Sequence, residues 1–278
     1  MKFGFPIVAS TVSSVYRTDR RKPAHIGVRT KTVLITGCSS GFGLEIARYF
    51  LARDWQVIAT MRTPRADVLP PSERLRVLAL DVTDPESIRQ AVEAAGPIDV
   101  LVNNAGFGAA SPAELVPIAT VREIFETNTF GTIAVTQAVL PQFRQRKAGV
   151  VVNVTSSVTL RALPLIAAYR ASKAAVNAFT ESLALELEQF GVRTRLVLPG
   201  RAPDTQFGAN AHAYMHGLDH EAYAGLVKAV FAQIQDTSTP ITRAEDVAEA
   251  VWRAATDPSS PMHIPAGADA EAWAAEAR

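Results

Sequence analysis

Lys31-Thr-Val-Leu-Ile-Thr-Gly-Cys-Ser-Ser-Gly-Phe-Gly43 is the stretch on which the fold prediction depends. Its first part is a short β-branched run, which predicts a buried strand. From Leu44 to Arg53 the apolar residues have helical spacing, which predicts a helix. A glycine turn between a strand and a helix is typical of a phosphate cradle. In such a cradle Gly37 permits the tight turn, Gly41 lets the backbone approach a pyrophosphate, and Gly43 allows close helix packing.

The spacing of these glycines is Gly-x-x-x-Gly-x-Gly, so the turn alone is a weak indication, and its strand-to-helix context strengthens it. The rest of the chain continues the alternation. Strands are predicted at 56–61, 75–80, 98–102, 150–155, 194–198 and 262–264, and helices at 85–95, 120–144, 163–189 and 246–255. Regular strand–helix alternation predicts an α/β fold with a parallel sheet covered by helices on both faces.

The second predicted strand ends in Ala59-Thr-Met-Arg62. In a dinucleotide-binding fold an acidic residue at this point holds the adenosine ribose and selects NAD. No acid is present here, and Arg62 is suited to a 2′-phosphate through charge-assisted hydrogen bonds. The alternative interpretation is an arginine in a solvated loop. The sequence therefore favours NADP(H) over NAD(H).

The fourth predicted helix, which we expect to begin near Leu163, carries Tyr169 and Lys173 four residues apart on one face. A lysine ammonium beside a phenol favours the phenolate and lowers its pKa from about 10. A phenol with such a pKa can act as a general acid or base. A chance match is the alternative, because Tyr-x-x-x-Lys is a common pattern.

Composition excludes several classes of protein. The 278 residues include 28 basic and 27 acidic side chains, which argues against broad nucleic-acid binding. The single cysteine, Cys38, cannot form an internal disulfide, which fits a cytoplasmic protein. No apolar run reaches the roughly 20 residues of a membrane span, so no membrane association is expected.

Residues 1–30 differ from the rest of the chain, because they are basic, rich in Ser and Thr, and contain one acid, Asp19. A disordered extension or an upstream start codon is the favoured interpretation. A secretory signal and an organellar presequence remain alternatives, although Pro6 interrupts the short apolar stretch. We expect one domain over residues 31–278.

Taken together, these features resemble the short-chain dehydrogenase/reductase family in its compact single-domain form. The resemblance covers roughly Lys31 to Ala268, and five matches occur in the family's order. They are Thr36–Gly43, Asn103–Gly106, Asn128, Ser156 with Tyr169 and Lys173, and Pro199-Gly200. The resemblance implies a doubly wound Rossmann-type sheet of about seven strands that binds NAD(H) or NADP(H).

The resemblance also implies roles for individual residues. Ser156, Tyr169 and Lys173 match the catalytic set, with Ser157 as the second choice for the serine, and Asn128 matches the residue that holds a water near the lysine. Lys173 is also expected to bind the nicotinamide ribose beside Tyr169. The remaining residues expected at the cofactor are Gly37, Ser39, Ser40, Gly41, Phe42, Gly43, Arg62, Asp81, Val82, Asn104, Ala105, Gly106, Pro199, Gly200 and Thr205.

One departure from the family pattern follows Pro199-Gly200. The family places a threonine five residues after the proline, whereas Asp204 stands there and Thr205 comes one residue late. Either the loop bulges to bring Thr205 into place, or another residue makes that contact. Residues 200–240, called the lid below, match the family's mobile substrate lid.

Three histidines in the lid, His212, His216 and His220, have the spacing of one helical face. A metal site would need them on a helix, and Gly217 argues against one, so no metal is expected.

The function implied is hydride transfer between a nicotinamide and a carbonyl or secondary alcohol, with Tyr169 as general acid/base. A catalytically silent cofactor-sensing protein is the alternative, and a dehydratase or epimerase is a third possibility. The substrate is a small molecule that the sequence does not identify, since fold does not fix it. The resemblance favours a homodimer or homotetramer formed through the helices around Asn128 and Tyr169.

Overall fold

The structure is a computed structural model that describes Met1 and residues 30–65, 67–236 and 238–277. Most of the predicted N-terminal extension therefore lies outside the described residues. That residues 31–278 form a single domain stays a prediction.

The described residues form one parallel sheet of seven strands in the order β3-β2-β1-β4-β5-β6-β7. The strands are β1 Thr32–Ile35, β2 Gln56–Met61, β3 Leu75–Ala79, β4 Val100–Asn103, β5 Gly149–Val154, β6 Val192–Pro199 and β7 His263–Ala266. The strand order reverses direction on either side of β1. This confirms the prediction of a doubly wound α/β fold, in which ligands bind outside the carboxyl ends of the strands at the switch point.

Helices cover both faces of the sheet. They are α1 Gly41–Leu51, α2 Pro85–Ala95, α3 Ile118–Phe125, α4 Thr132–Arg146, α5 Ala167–Leu187, α6 Phe207–Ala211, α7 Ala224–Gln235, α8 Ala244–Thr256 and α9 Ala268–Glu276. In the part of the chain that the structure describes, none of them combines the length and the apolar character needed to cross a bilayer.

The hydrophobic core has two layers, one on each face of the sheet. In β1, Val33 and Ile35 pack into the layer beneath α1 and α8, whereas Leu34 points into the layer beneath α2, α4 and α5. Alternate side chains of a strand point to opposite faces, so a strand buried on both sides needs a continuous apolar run. This is why β1 has no polar alternation.

Two predicted helices differ from those observed. The helix expected at 120–144 is divided into α3 and α4 by a π-helical segment, Glu126–Gly131, which contains Asn128. The helix expected to begin near Leu163 begins at Ala167, because Leu165 has a left-handed φ of 65° that a helix cannot accommodate. Helices α6, α7 and α9 were not predicted, and the first two lie in the stretch before Pro240 that was expected to be irregular.

Candidate active site

Tyr169 and Lys173 lie on the buried face of α5, with exposed fractions of 9% and 6%. Ser156 follows the carboxyl end of β5, and its hydroxyl lies close enough to Tyr169 to act on the pKa of the phenol. The three residues expected from the sequence as a catalytic set are thus brought together at the edge of the sheet. Ser157, the second choice, is the first residue of a 3₁₀ turn, Ser157–Thr159.

Burial raises the pKa of Tyr169 to about 12, and the Ser156 hydroxyl acts in the opposite direction. The direction differs from our expectation that Lys173 lowers the tyrosine pKa. Burial penalises the phenolate, and burial also lowers the pKa of Lys173 to about 8, at which the ammonium remains mostly charged at neutral pH. Tyr169 is therefore a protonated phenol at neutral pH, the form that can donate a proton.

Lys173 extends from α5 toward the strand ends. Its Nζ donates to the carbonyl of Val154 at 3.1 Å. A Cβ placed on Gly106 would lie 3.2 Å from this Nζ and 2.9 Å from Oδ1 of Asn128. Since Gly106 has no side chain, it leaves room for the buried polar side chains of Lys173 and Asn128.

Asn128 is fully buried and connects three segments. Its Oδ1 accepts from the backbone N–H of Phe107 at 3.0 Å, and its Nδ2 donates to the carbonyl of Phe107 at 2.8 Å and to Oγ of Ser172 at 3.0 Å. Both amide protons are therefore bound to protein atoms. The π-helical segment thus holds the loop after β4 against α5; the expected role in holding a water stays a prediction.

The glycine turn, Thr36–Gly43, lies at the carboxyl end of β1. Gly37 and Gly41 have left-handed φ values of 73° and 56°, which only glycine adopts without strain. The Ser40 side chain makes no capping hydrogen bond to α1, and the first turn of α1 has no acidic residue. The free N–H groups and positive dipole end suit an anion, so this turn fits the pyrophosphate of a dinucleotide.

Thr36 and Asn104 join the glycine turn to the loop after β4, a connection that the sequence analysis missed. Oγ1 of Thr36 accepts from the backbone N–H groups of Asn104 and Ala105, both at 3.0 Å. Nδ2 of Asn104 donates to the carbonyl of Thr36 at 3.0 Å. A contact between residues 68 positions apart cannot be read from the sequence, although a polar threonine at the end of a buried strand was a visible signal.

Arg62 follows β2 directly, and the preceding Met61 is buried in the core. The pKa of Asp81 lies below its ordinary value, first because the backbone N–H of Thr83 donates to its carboxylate, with a smaller contribution from the charge of Arg62. The neighbouring Val82 packs against the π-helical segment at Gly131. These residues surround the region where an adenosine ribose is expected.

Arg65 is a second arginine that the sequence analysis missed at this place. Its Nη2 donates to the carbonyl of Ser39 in the glycine turn at 3.0 Å. Two guanidinium groups thus belong to the segment that follows β2. The signal in the sequence was a second arginine three residues after Arg62.

The extra residue after Pro199-Gly200 is absorbed in a turn. Both the backbone N–H and Oγ1 of Thr205 donate to the carbonyl of Ala202, at 3.3 and 2.9 Å. A Cβ placed on Gly41 would lie 3.6 Å from Cβ of Thr205. The turn therefore brings Thr205 beside the glycine turn; that Thr205 contacts the cofactor stays a prediction.

Phe207, in the lid, was also missed by the sequence analysis. Its ring centroid lies 5.6 Å from that of Tyr169. The ring of Tyr214 lies 4.3 Å from that of Phe107 by the same measure. The lid thus places one aromatic ring against Tyr169 and a second one against the loop after β4. Aromatic residues in a predicted lid were the available signal.

The lid histidines do not share a helix. His212 begins a 3₁₀ turn after α6, His216 contacts Oγ1 of Thr120 at 3.2 Å, and Nδ1 of His220 accepts from the backbone N–H of Ala222 at 3.2 Å. Within the described ranges no three His, Cys, Asp or Glu side chains are grouped as metal ligands.

Several known proteins are similar to this chain in sequence and in fold. The sequence model of the family described as short chain dehydrogenase matches residues 31–215. An uncharacterized oxidoreductase, YusZ of Bacillus subtilis, is 38% identical over 238 residues, covering 81% of this chain and 85% of that protein. Retinol dehydrogenase 8 of Bos taurus is 42% identical over 185 residues, covering 61% of this chain and 58% of that protein.

Solved structures show the same fold. A short-chain dehydrogenase from Streptomyces avermitilis superposes with a TM-score of 0.76 and 30% identity, covering 89% of this chain and 91% of that one. A short-chain dehydrogenase from Burkholderia cenocepacia in complex with NADP superposes with a TM-score of 0.71 and 26% identity, covering 88% and 92%.

Proposed function

Because the chain belongs to the short-chain dehydrogenase/reductase family, we propose that it is an oxidoreductase that interconverts a carbonyl and a secondary alcohol and favours NADP(H). The observation that carries this proposal is that Ser156, Tyr169 and Lys173 are all buried beside the carboxyl end of β5, where Nζ of Lys173 donates to the carbonyl of Val154. The three groups lie at the same sheet edge as the glycine turn, where the family binds its cofactor.

The bound nicotinamide supplies or takes up the hydride. Ser156 and Tyr169 hydrogen-bond the substrate oxygen, on which negative charge grows during reduction. Tyr169 donates its proton to that oxygen in reduction and accepts it back in oxidation. Lys173 holds the nicotinamide ribose, which fixes the distance between the cofactor and the phenol.

The preference for NADP(H) is supported by the residues after β2. Met61 is uncharged, so no carboxylate repels a 2′-phosphate at this point. Arg62 offers a planar guanidinium for that phosphate, and Arg65 places a second one near the glycine turn. The Burkholderia cenocepacia relative, which has the same fold, was crystallised with NADP.

The substrate that we propose has an apolar body. The rings of Phe107, Phe207 and Tyr214 and the buried side chain of Leu165 lie on the segments around Tyr169. The relative from Bos taurus is named for retinol, an alcohol with a long apolar chain. Apolar walls with a few convergent polar groups are typical of sites for such molecules.

A catalytically silent cofactor-sensing protein is not favoured, because a sensor has no need of Ser156, Tyr169 and Lys173 together in one buried cluster. The same set would also serve a related dehydratase or epimerase. Net oxidation or reduction of the nicotinamide cofactor distinguishes the oxidoreductase from the silent protein and from a dehydratase or epimerase.

We further propose a homodimer or homotetramer in the cytoplasm. The large apolar side chains of Ile118, Phe130 and Leu185 are exposed on α3, the π-helical segment and α5, the helices that we expect at the interface. Exposed apolar groups on one set of helices favour burial against another copy. Light scattering after gel filtration measures the assembly.

The test of the proposed activity is a panel of carbonyls and secondary alcohols offered with NADPH, NADP⁺, NADH and NAD⁺. Absorbance of the reduced nicotinamide measures turnover. We expect turnover of apolar ketones or alcohols and a higher kcat/KM with the phosphorylated cofactor. Tight cofactor binding without turnover of any member of a broad panel would favour the silent alternative.

A further inference from the structure

Arg201 lies where the lid leaves the sheet, and its backbone is held on both sides. Its N–H donates to Oδ2 of Asp269 at 2.6 Å, and its carbonyl accepts from the N–H of Thr242 at 2.8 Å. Asp269 belongs to α9, and Thr242 lies just beyond the end of the lid. The first residues of the lid and the residues that follow it are therefore joined at Arg201.

The partners that hold this backbone are themselves buried. Thr242 and Asp269 are 1% and 7% exposed, and their side chains hydrogen-bond each other at 2.6 Å. The N–H of Gly200 donates to Oγ1 of Thr242 at 2.9 Å. A Cβ on Gly200 would collide with the carboxylate of Asp269, so only glycine fits there. The backbone of Arg201 is thus held in a fixed position by buried partners.

The guanidinium of Arg201 reaches the opposite end of the lid. Nη1 donates to the carbonyls of Gln233 and Ile234 at 3.2 and 2.6 Å. Nη2 donates to the carbonyl of Asp236 at 2.9 Å and to Oγ1 of Thr239 at 2.7 Å. The last carbonyls of a helix have no partner within the helix and carry its negative dipole end. Arg201 therefore caps α7 with a planar, fully charged group.

Helix α7 has little else to hold it. None of its described residues is buried, and Leu226 and Ile234 are exposed apolar side chains. Before α7, the phenol of Tyr223 donates to Glu114 at 2.8 Å, and the N–H of His216 donates to Oγ of Ser111 at 2.9 Å. These contacts hold the middle of the lid, whereas Arg201 holds its C-terminal end.

The part of the lid that contacts the candidate site comes first in the chain. Thr205 lies beside Gly41, and Phe207 lies against Tyr169. These residues are only a few positions from Arg201. A lid fixed at both ends restricts their positions, whereas a lid with a free α7 does not.

We propose that Arg201 is a positioning residue that keeps the lid closed over Tyr169 by capping α7 from the base of the lid. The proposal deepens the proposed function, on which its kinetic consequence rests. A site that is complete only when the lid is closed binds substrate in proportion to the closed fraction. Loss of the guanidinium therefore weakens substrate binding more than it changes the chemistry.

The test compares Arg201→Ala and Arg201→Lys with wild type by amide hydrogen exchange, thermal unfolding and steady-state kinetics. Arg201→Ala should exchange faster in residues 205–236 while β1 to β5 and the unfolding midpoint stay unchanged. KM for the substrate should rise about tenfold with a smaller change in kcat, as expected for loss of charged hydrogen bonds. Arg201→Lys should be intermediate, since an ammonium cannot contact so many carbonyls at once.

Lys228→Ala is the matched control, because it removes an exposed cation from α7 itself. It should leave exchange and KM at wild-type values. Unchanged lid exchange in Arg201→Ala would overturn the proposal, and so would faster exchange spread over the whole sheet with a lower midpoint. If the wild type turns over no substrate, the proposed function fails, while hydrogen exchange still decides whether Arg201 holds the lid.

Discussion

The glycine turn and the lid both lie at the carboxyl edge of the sheet, but they are held in different ways. The turn is fixed by backbone and buried polar contacts, such as the hydrogen bond from Thr36 N–H to the carbonyl of Val102 at 3.0 Å. Of the described lid residues only Ala211 is buried. The side chain of Tyr223 connects the lid to Glu114 in the body, and the side chain of Arg201 joins the two ends of the lid.

Because of this difference, we expect the glycine turn to hold the cofactor in a fixed position and the lid to move when the substrate enters or leaves. Few buried apolar contacts and exposed hydrogen bonds are the features of segments that open locally at small free energies. A dinucleotide pyrophosphate gains from a turn that is already in place, whereas a substrate must enter and leave. Substitutions in the two regions should therefore affect different measurements.

The largest effect is expected at Tyr169, where the two regions meet. Tyr169→Phe removes the transferable proton while keeping the ring that contacts Phe207. General acid catalysis contributes about 10²–10⁴-fold, so kcat should fall by that factor with cofactor binding unchanged. Rapid-mixing kinetics and cofactor titration measure both. Activity near that of wild type would eliminate Tyr169 as the acid.

Lys173→Met tests how much the buried charge of Lys173 destabilises the fold. Because the folded pKa of Lys173 is depressed to about 8, its burial destabilises the fold fully below pH 8, and this penalty shrinks as pH rises from 8 to about 10.5. The variant should be more stable than wild type at pH 7, by on the order of 3 kcal/mol, and the gain should fade toward pH 10.5. It should also lose cofactor affinity and activity.

Denaturant unfolding at pH 7, 9 and 10.5 measures the stability gain of Lys173→Met. A gain that does not change with pH would show that the methionine acts by packing alone. Tyr169 also contributes to such a series, because its folded pKa is raised to about 12 and the fold therefore loses stability as pH rises from about 10 toward 12. Wild type and variant should therefore be compared at the same pH, since both contain Tyr169.

The preference for one cofactor over the other should depend on residues near the glycine turn and not on residues of the lid. Arg62→Ala should reduce the preference for NADPH over NADH by about ten- to a hundredfold, since charged hydrogen bonds contribute roughly 1.5–3 kcal/mol. Arg65→Ala should reduce it less, because its guanidinium is already bonded to Ser39. Dissociation constants for both reduced cofactors test this. Tighter binding of NADH by the wild type would overturn the assignment.

Replacing one glycine by alanine in each region, Gly43 in the glycine turn and Gly225 in the lid, compares the rigidity of the two regions directly. A Cβ on Gly43 would collide with the carbonyl of Gly37 and lie 2.6 Å from Nδ2 of Asn104. Gly43→Ala should therefore destabilise the protein by about 1–3 kcal/mol through overpacking and weaken NADPH binding. Thermal unfolding and NADPH titration measure the two effects. Wild-type values for both would show that the turn is not rigid.

Gly225→Ala, in α7, is the matched change in the lid and the smallest expected effect. A Cβ on Gly225 would meet no atom within 4 Å. Alanine favours a helix over glycine by about 1 kcal/mol, so α7 should become more ordered while global stability stays at the wild-type value. Hydrogen exchange in 224–235 should slow. A large loss of global stability would contradict the comparison.

Most of the sheet edge could be predicted from local sequence. The β-branched run before Gly37, the glycine spacing and the four-residue interval from Tyr169 to Lys173 each act within one element, where periodicity and turn chemistry dictate geometry. That is why the strands, the glycine turn and the shared face of α5 were found where expected.

Tertiary structure alone decided the rest. The π-helical segment at Asn128, the cap that Arg201 forms on α7 and the contact of Phe207 with Tyr169 join residues far apart in the chain. The pKa of Tyr169 is set by burial, which outweighs the opposing effect of Ser156. Local sequence specifies which groups a helix presents, whereas burial and long-range hydrogen bonds depend on how the elements pack.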